Sequence, residues 1–127
     1  MPGILLVDDE PDILQALEEL VAMEIPGIKV RMAPDGPTAL KLVEEERPDV
    51  ILSDFRMPKM DGLQFLREVR DRFGGIPAVL LTAFPDRRLA VEAAQEGIIR
   101  RFYIKPPDVD QVMNGLRELL DPASVKA

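Results

Sequence analysis

The sequence of 127 residues predicts an α/β fold with a five-stranded parallel sheet and helices on both faces. Two observations lead to this class. Short apolar runs rich in β-branched residues recur without polar alternation, as in strands that are buried on both faces. Each run is followed by apolar residues at helical spacing, so that five strands and five helices alternate strictly. This order is typical of right-handed βαβ crossovers within one domain.

The first half of the chain supplies two strands and two helices. Residues 3–7 (GILLV) form a short apolar strand, and helical spacing starts after it at Pro11 or Asp12. Residues 28–33 (IKVRMA) alternate between apolar and polar side chains, which indicates an edge strand. Residues 36–47 again have helical spacing, with a proline near the first turn.

The second half continues the alternation. Residues 49–54 (DVILSD) form a buried strand that ends in an acid, and a helix opens at Asp61-Gly62. The remaining elements are a buried strand, an alanine-rich helix, a strand and an amphipathic helix, over residues 77–83, 85–97, 100–104 and 109–120. We expect one domain over residues 1–120, followed at 121–127 by a polar tail or the start of a linker.

Composition narrows the range of functions. The net charge of −7 argues against direct binding of nucleic acid, because phosphate contacts need clustered Lys and Arg. The chain has no cysteine and no histidine, so any metal must be a hard cation bound by oxygen. No apolar stretch is long enough to span a membrane, and the first residues lack the features of a signal peptide. We therefore expect a cytoplasmic protein without membrane contact.

Charged and polar residues gather where the predicted strands end. The carboxyl ends of parallel strands meet at one edge of the sheet, where ligands of open α/β sheets bind. The residues at this edge are Asp8, Asp9, Glu10, Asp54, Thr82 and Lys105. Carboxylates this close together stay ionised only beside a counter-charge, which Lys105 or a divalent cation can supply. Mg²⁺ suits one or two carboxylates together with waters and a phosphate oxygen.

Each of these residues also has an ordinary structural interpretation. An acid that follows a strand is most often a turn residue or a helix cap, and Glu10 suits the first turn of a helix because of the helix dipole. Asp61 before Gly62 is interpreted as such a helix start. Four chemically complementary elements at four strand ends favour a functional site over these separate interpretations.

With these residues in view, the chain resembles a response-regulator receiver domain, the phosphoacceptor module of two-component signalling. The resemblance covers about residues 3–120 and depends on the segments LLVDDE, ILSDFRMPKMDG, VLLTA and RFYIKP. It implies a single flavodoxin-like, doubly wound domain with strand order 2-1-3-4-5.

The resemblance implies a phosphoacceptor and a metal site. Asp54 would accept the phosphoryl group. Mg²⁺ would be bound directly by Asp9, with Asp8 helping directly or through water and Asp54 as a further ligand. Another protein ligand would be the backbone carbonyl of Arg56, for which side-chain identity matters little.

Groups that bind the phosphoryl oxygens are implied as well. Thr82 would donate its hydroxyl, and the amides of Arg56 and Ala83 would supply further donors. Lys105 would pair first with Asp54 and then with the phosphate. A cis bond before Pro106 is common in the family and is expected here.

A switch in packing would report phosphorylation. Phe102 occupies the position of the family's switch aromatic, and an inward movement of Thr82 would vacate space into which Phe102 rotates. This would change the face formed by the fourth helix, fifth strand and fifth helix. Tyr103 would point to the opposite side of the sheet and is interpreted as structural.

The resemblance also implies partners. The donor would be a histidine kinase or phosphotransfer protein, because this chain has no histidine of its own. A downstream effector or output domain would receive the signal, and the resemblance implies that a homodimer would form through the switched face, as is common in the family. Arg56 and Phe84 each lie two positions after a catalytic residue, and the resemblance implies that these positions border the path of the attacking water. This predicts a phosphoryl group that is not very short-lived.

Three other functions compete with this interpretation. A Mg²⁺-dependent phosphohydrolase would place an acid two residues after its nucleophile, where this chain has Arg56. A nucleotide or flavin site is disfavoured because no Gly-rich phosphate loop follows any strand. A pseudo-receiver that binds partners without phosphorylation is disfavoured because every expected site residue is present.

Overall fold

The computed structural model describes residues 2–121, apart from the side chain of Phe84. The strands are β1 (Gly3–Val7), β2 (Lys29–Ala33), β3 (Val50–Asp54), β4 (Ala78–Thr82) and β5 (Arg101–Ile104). The helices are α1 (Pro11–Glu24), α2 (Gly36–Glu45), α3 (Gly62–Phe73), α4 (Arg87–Gln95) and α5 (Val109–Leu120). The strands form one parallel sheet of order β2-β1-β3-β4-β5, which confirms the predicted flavodoxin-like fold. The predicted tail lies, after Asp121, outside the described residues.

The three central strands are buried because both of their faces are covered by helices. All residues of β3 and β4 are buried, as are four of the five residues of β1. The edge strands β2 and β5 are only partly buried. The continuous apolar runs of the sequence therefore correspond to the centre of the sheet, as expected for parallel strands.

The sheet separates two apolar clusters. One cluster joins alternate strand residues such as Leu5 and Ile51 to helices α2, α3 and α4. The other joins the intervening residues, such as Leu6 and Leu52, to helices α1 and α5. Each cluster buries large side chains completely, and their burial is the main source of stability for the fold.

Helix starts fix the loops that follow the strands. Asp61 caps α3 in a capping box with Gln64, which confirms the interpretation of Asp61-Gly62 as a helix start. Asp35 caps α2 by accepting a hydrogen bond of 2.8 Å from the Thr38 amide. Among the described residues no helix is both long and apolar enough for a membrane span.

The fourth helix differs from the predicted span 85–97. A 3-10 turn covers Phe84–Asp86, and α4 begins only at Arg87 and ends at Gln95. The Asp86 amide donates to the Ala83 carbonyl at 2.9 Å, so this segment closes a tighter turn than an α-helix does. The chain leaves the helix through Gly97, whose φ of 77° is favourable for glycine.

Gly115 of α5 gives a first testable prediction. A Cβ atom at this position would lie well inside van der Waals contact with the Tyr103 hydroxyl. Gly115→Ala is therefore expected to lower the free energy of unfolding by about 1–2 kcal/mol, although alanine is the better helix former. Tyr103→Phe removes the clashing oxygen, so the double variant should recover at least half of the loss in urea unfolding. Additive losses in the double variant would contradict this explanation.

Candidate functional site

Three carboxylates converge at the carboxyl ends of β1 and β3. Asp8, Asp9 and Asp54 each offer an oxygen atom that lies within 4.8 Å of the other two. Asp8 and Asp54 are buried, with 2% and 5% of their surface exposed, whereas Asp9 is exposed. Sheet pairing explains the convergence, because β1 lies directly beside β3 and both strands end at the same edge. The set offers only oxygen ligands, which fits a hard divalent cation such as Mg²⁺.

The electrostatics of Asp8 reflect this crowding. Burial, together with the negative charges of Asp54 and Asp9, raises the pKa of Asp8 from 3.8 to about 6. A hydrogen bond of 2.9 Å from the Glu10 amide and the positive charge of Lys105 act in the opposite direction. A divalent cation at this position would relieve the repulsion among the three carboxylates.

Lys105 supplies a positive charge to the cluster. Its Nζ atom lies 2.5 Å from Oδ1 of Asp54, and that oxygen also accepts a hydrogen bond of 3.0 Å from the Phe55 amide. The Lys105 amide donates to the Thr82 carbonyl at 2.8 Å, which fixes the lysine beside the end of β4. The Lys105–Pro106 peptide bond is cis, as the resemblance implied.

Thr82 lies at the same edge of the sheet. β4 pairs with β3 so that Leu81 is opposite Asp54, which places Thr82 one residue further toward the site. Thr82 is 1% exposed, and its hydroxyl donates a hydrogen bond to the Ala83 carbonyl at 3.4 Å. The hydroxyl is therefore directed to the backbone carbonyl of the next residue rather than to Asp54.

The loop between β3 and α3 is fixed by close backbone contacts. The Gly62 amide donates to the Phe55 carbonyl at 2.6 Å, and a Cβ atom at Gly62 would clash with the Asp54 carbonyl. Lys59 has a φ of 72° and pairs with the buried acid Asp35 at 3.4 Å. These contacts hold the backbone on which Arg56 lies, two residues after Asp54.

Phe102 and Tyr103 lie on opposite sides of β5. Phe102 packs against the cluster that includes α3 and α4, and Tyr103 packs against the cluster that includes α1 and α5. Both residues are partly buried. The predicted alternation is confirmed, and Phe102 lies on the side of the sheet where α4 packs.

One element of the site was missed from the sequence. Asp86 is 7% exposed, and it forms a two-point ion pair with Arg56, at 2.9 Å for each hydrogen bond. The sequence offers a weak signal only, an acid after Pro85 at a helix start, which is more simply interpreted as a cap. The side chain of Phe84, for which a role in water access is expected, lies outside the described residues.

Comparison of the sequence with models of known protein families identifies the family of this chain. The family model described as "Response regulator receiver domain" matches residues 4–117. The chain belongs to this family. Receiver domains are the signalling phosphoacceptors of two-component systems rather than metabolic enzymes, and the predicted family is confirmed.

Relatives of this receiver domain include longer regulators. The chain is 37% identical over 123 residues to "Regulatory protein AtoC" of Escherichia coli K12, covering 97% of this chain and 26% of the relative. It is 36% identical over 111 residues to "DNA-binding transcriptional regulator NtrC" of Proteus hauseri, covering 87% and 23%. This receiver domain thus spans about a quarter of the length of these relatives.

Solved structures resemble this receiver domain over nearly its full length. A receiver domain protein from Clostridium thermocellum has a TM-score of 0.89 at 26% identity, with 100% of both chains covered. Response regulator TrrA from Thermotoga maritima, in complex with Mg²⁺ and beryllium fluoride, has a TM-score of 0.82 at 29% identity and covers 94% of this chain and 100% of its own.

The raised pKa of Asp8 predicts a stability that depends on pH. The folded state holds this proton more tightly than an unfolded chain does, so the stabilising contribution is complete below pH 3.8 and is lost as the pH rises through about 6. Asp8→Asn, which cannot ionise, should raise the free energy of unfolding at pH 7.5 by up to about 3 kcal/mol without divalent cations. At pH 4 the two proteins should be nearly equal.

Urea unfolding in the presence of a chelator measures this difference at several pH values. Asp71→Asn serves as a matched control, because Asp71 is exposed on α3 and pairs with the neighbouring Arg70. The control should change little at any pH. A difference between Asp8→Asn and the original protein that does not grow from pH 4 to pH 7.5 would contradict the electrostatic explanation.

Proposed function

We propose that this receiver domain, over residues 1–120, accepts a phosphoryl group on Asp54 from a phosphohistidine of a separate protein. The observation that carries the proposal is the ion pair of 2.5 Å between Lys105 and Asp54, inside a cluster of three carboxylates. Asp54 combines a nucleophilic oxygen with a neighbouring positive charge, which is the combination that phosphoryl transfer onto a carboxylate needs.

The metal site of this proposal consists of Asp8, Asp9, Asp54 and the backbone carbonyl of Arg56. The cluster supplies oxygen ligands only, and the related TrrA structure contains Mg²⁺ with beryllium fluoride. When bound, Mg²⁺ would neutralise charge on the carboxylates and on the incoming phosphoryl oxygens.

The chain's own residues would then act as follows. A carboxylate oxygen of Asp54 attacks phosphorus, the bond between phosphorus and the donor's imidazole nitrogen breaks, and the imidazole leaves with a proton from solvent. The ammonium group of Lys105, which pairs with the Asp54 carboxylate before transfer, then pairs with the phosphoryl oxygens. Thr82 turns its hydroxyl from the Ala83 carbonyl toward a phosphoryl oxygen, and the amides of Arg56 and Ala83 add donors. Water later attacks phosphorus and releases inorganic phosphate, which regenerates Asp54.

The signal would leave through the face of α4, β5 and α5. Phe102 packs on the same side of the sheet as α4, so an inward turn of Thr82 would give this ring a new position. The partner that receives the signal would be an effector or an output domain. Relatives named as DNA-binding regulators support an output domain in a longer protein, while the acidic receiver domain itself would make no direct nucleic-acid contact.

Incubation with a small acyl phosphate and Mg²⁺ tests the proposal. We expect a mass gain of one phosphoryl group, located in a peptide that contains Asp54, and no gain when the metal is removed with a chelator. Continuous release of phosphate from many phosphate esters would instead favour the phosphohydrolase. A chain that gains no mass yet binds partners would favour the pseudo-receiver.

A further inference from the structure

Two loops flank the end of β3, and one ion pair joins them. Arg56 lies in the loop between β3 and α3, and Asp86 lies in the 3-10 turn between β4 and α4. The Nε atom of Arg56 donates to one oxygen of Asp86 and the Nη2 atom donates to the other, each at 2.9 Å. This planar, two-point geometry fixes the relative position of the loops more firmly than a single contact would.

Asp86 is buried although the Arg56 side chain is exposed, and the buried carboxylate distinguishes this pair from pairs whose two partners are both exposed. Within residues 2–121, a buried carboxylate occurs in only three ion pairs, those of Asp35, Asp54 and Asp86. All three surround the carboxyl end of β3. The other ion pairs in this part of the chain join exposed partners, for which little stabilisation is expected.

A short chain of contacts connects this pair to Thr82. The Asp86 amide donates to the Ala83 carbonyl at 2.9 Å, and the Thr82 hydroxyl donates to the same carbonyl at 3.4 Å. Arg56 holds Asp86, Asp86 closes the turn that positions the Ala83 carbonyl, and this carbonyl keeps the Thr82 hydroxyl away from Asp54. The ion pair therefore stabilises the arrangement in which Thr82 is not available to a phosphoryl group.

We propose that Arg56 and Asp86 form a latch that holds the unphosphorylated arrangement of the loop after β4, and that opening the latch favours the phosphorylated arrangement. This inference rests on the proposed function, because it concerns the same Thr82 hydroxyl. Arg56 and Asp86 are positioning residues in this scheme, since they act through the Ala83 carbonyl. A ligand that prefers the open arrangement binds more tightly when the closed one is destabilised.

Affinity for beryllium fluoride with Mg²⁺ measures the latch in the full chain. Asp86→Asn and Arg56→Gln should each bind this phosphoryl analogue about 5-fold more tightly than the original protein, the lower range of coupling between sites. Charge reversal in both positions, Arg56→Asp with Asp86→Arg, should restore the original affinity, whereas each reversal alone should not. A pair with a merely structural role would lower thermal stability and leave the affinity unchanged or weaker.

Amide hydrogen exchange in the absence of any ligand provides a second test of the latch. The amides of residues 84–95 should exchange at least a few-fold faster in Asp86→Asn and at the original rate in the charge-reversed double variant. Arg67→Gln is the matched control, because Arg67 pairs with Glu96 at 3.8 Å through exposed side chains and should change neither readout. Either unchanged exchange or unchanged affinity in Asp86→Asn would overturn the latch.

Failure of the latch is distinguishable from failure of the proposed function. If the original protein does not bind beryllium fluoride and takes up no phosphoryl group, the proposed function is wrong. The hydrogen-exchange experiment still tests the latch in that case. If the original protein binds the analogue and all variants bind it equally, the latch is wrong and the proposed function stands.

Discussion

Asp54→Asn is expected to remove the phosphoryl mass gain completely while leaving the fold intact. An amide oxygen is not a competent nucleophile toward phosphorus, and the substitution also removes the partner of Lys105. The amide oxygen can still accept the hydrogen bond from Phe55 that Oδ1 of Asp54 accepts at 3.0 Å. Loss of function should therefore occur without loss of stability, and intact-protein mass spectrometry beside thermal unfolding measures both.

The exposed acid Asp71 provides the control for this variant. Asp71→Asn removes the same charge from α3, away from the cluster of Asp8, Asp9 and Asp54, and should retain the full mass gain. If Asp54→Asn gained the same mass at the same rate as this control, the acceptor would lie elsewhere and the proposed function would be wrong in its central residue.

Gly62→Ala is expected to produce the largest loss of stability. A Cβ atom at this position would clash with the Asp54 carbonyl and lie 3.0 Å from Cα of Phe55. These are backbone atoms, so relief requires a shift of the strand end that carries Asp54. We expect the free energy of unfolding to fall by about 3 kcal/mol or more, and Mg²⁺-dependent phosphoryl uptake to fall in the protein that remains folded.

Gly75→Ala is the matched control for this effect. A Cβ atom at Gly75 would meet nothing within 4 Å, and the change should stay within about 1 kcal/mol in either direction. Urea unfolding of the two variants gives the comparison. Equal stabilities would show that the close approach between Gly62 and β3 does not constrain the site.

The sequence was sufficient for the positions of the strands and for the residues at their ends. Buried strands need continuous apolar runs, and an acid at the end of such a run stands out because burial of its charge is unfavourable. The sequence alone thus predicts that Asp8, Asp54 and Lys105 lie at one edge of the sheet. The parallel order of the strands then brings these distant residues together.

Contacts between loops could not be predicted in the same way. Arg56 and Asp86 lie 30 residues apart, and their pairing depends on the shapes of two irregular loops that no periodic pattern describes. The pair of Lys59 with Asp35 was missed for the same reason. The split of the predicted helix 85–97 also depends on one backbone hydrogen bond, from Asp86 to Ala83, rather than on side-chain spacing.

The placement of Phe102 and Tyr103 on opposite sides of β5 determines which surfaces of the domain a rotation of Phe102 would change. Because the sheet separates the two helical layers from each other, a rotation of Phe102 would change the packing beside α4, whereas α1, which packs on the other face of the sheet, would stay in place. A partner that binds to α1 would then meet the same surface before and after phosphorylation. Input and readout could operate from different sides of one small protein without competing for the same residues.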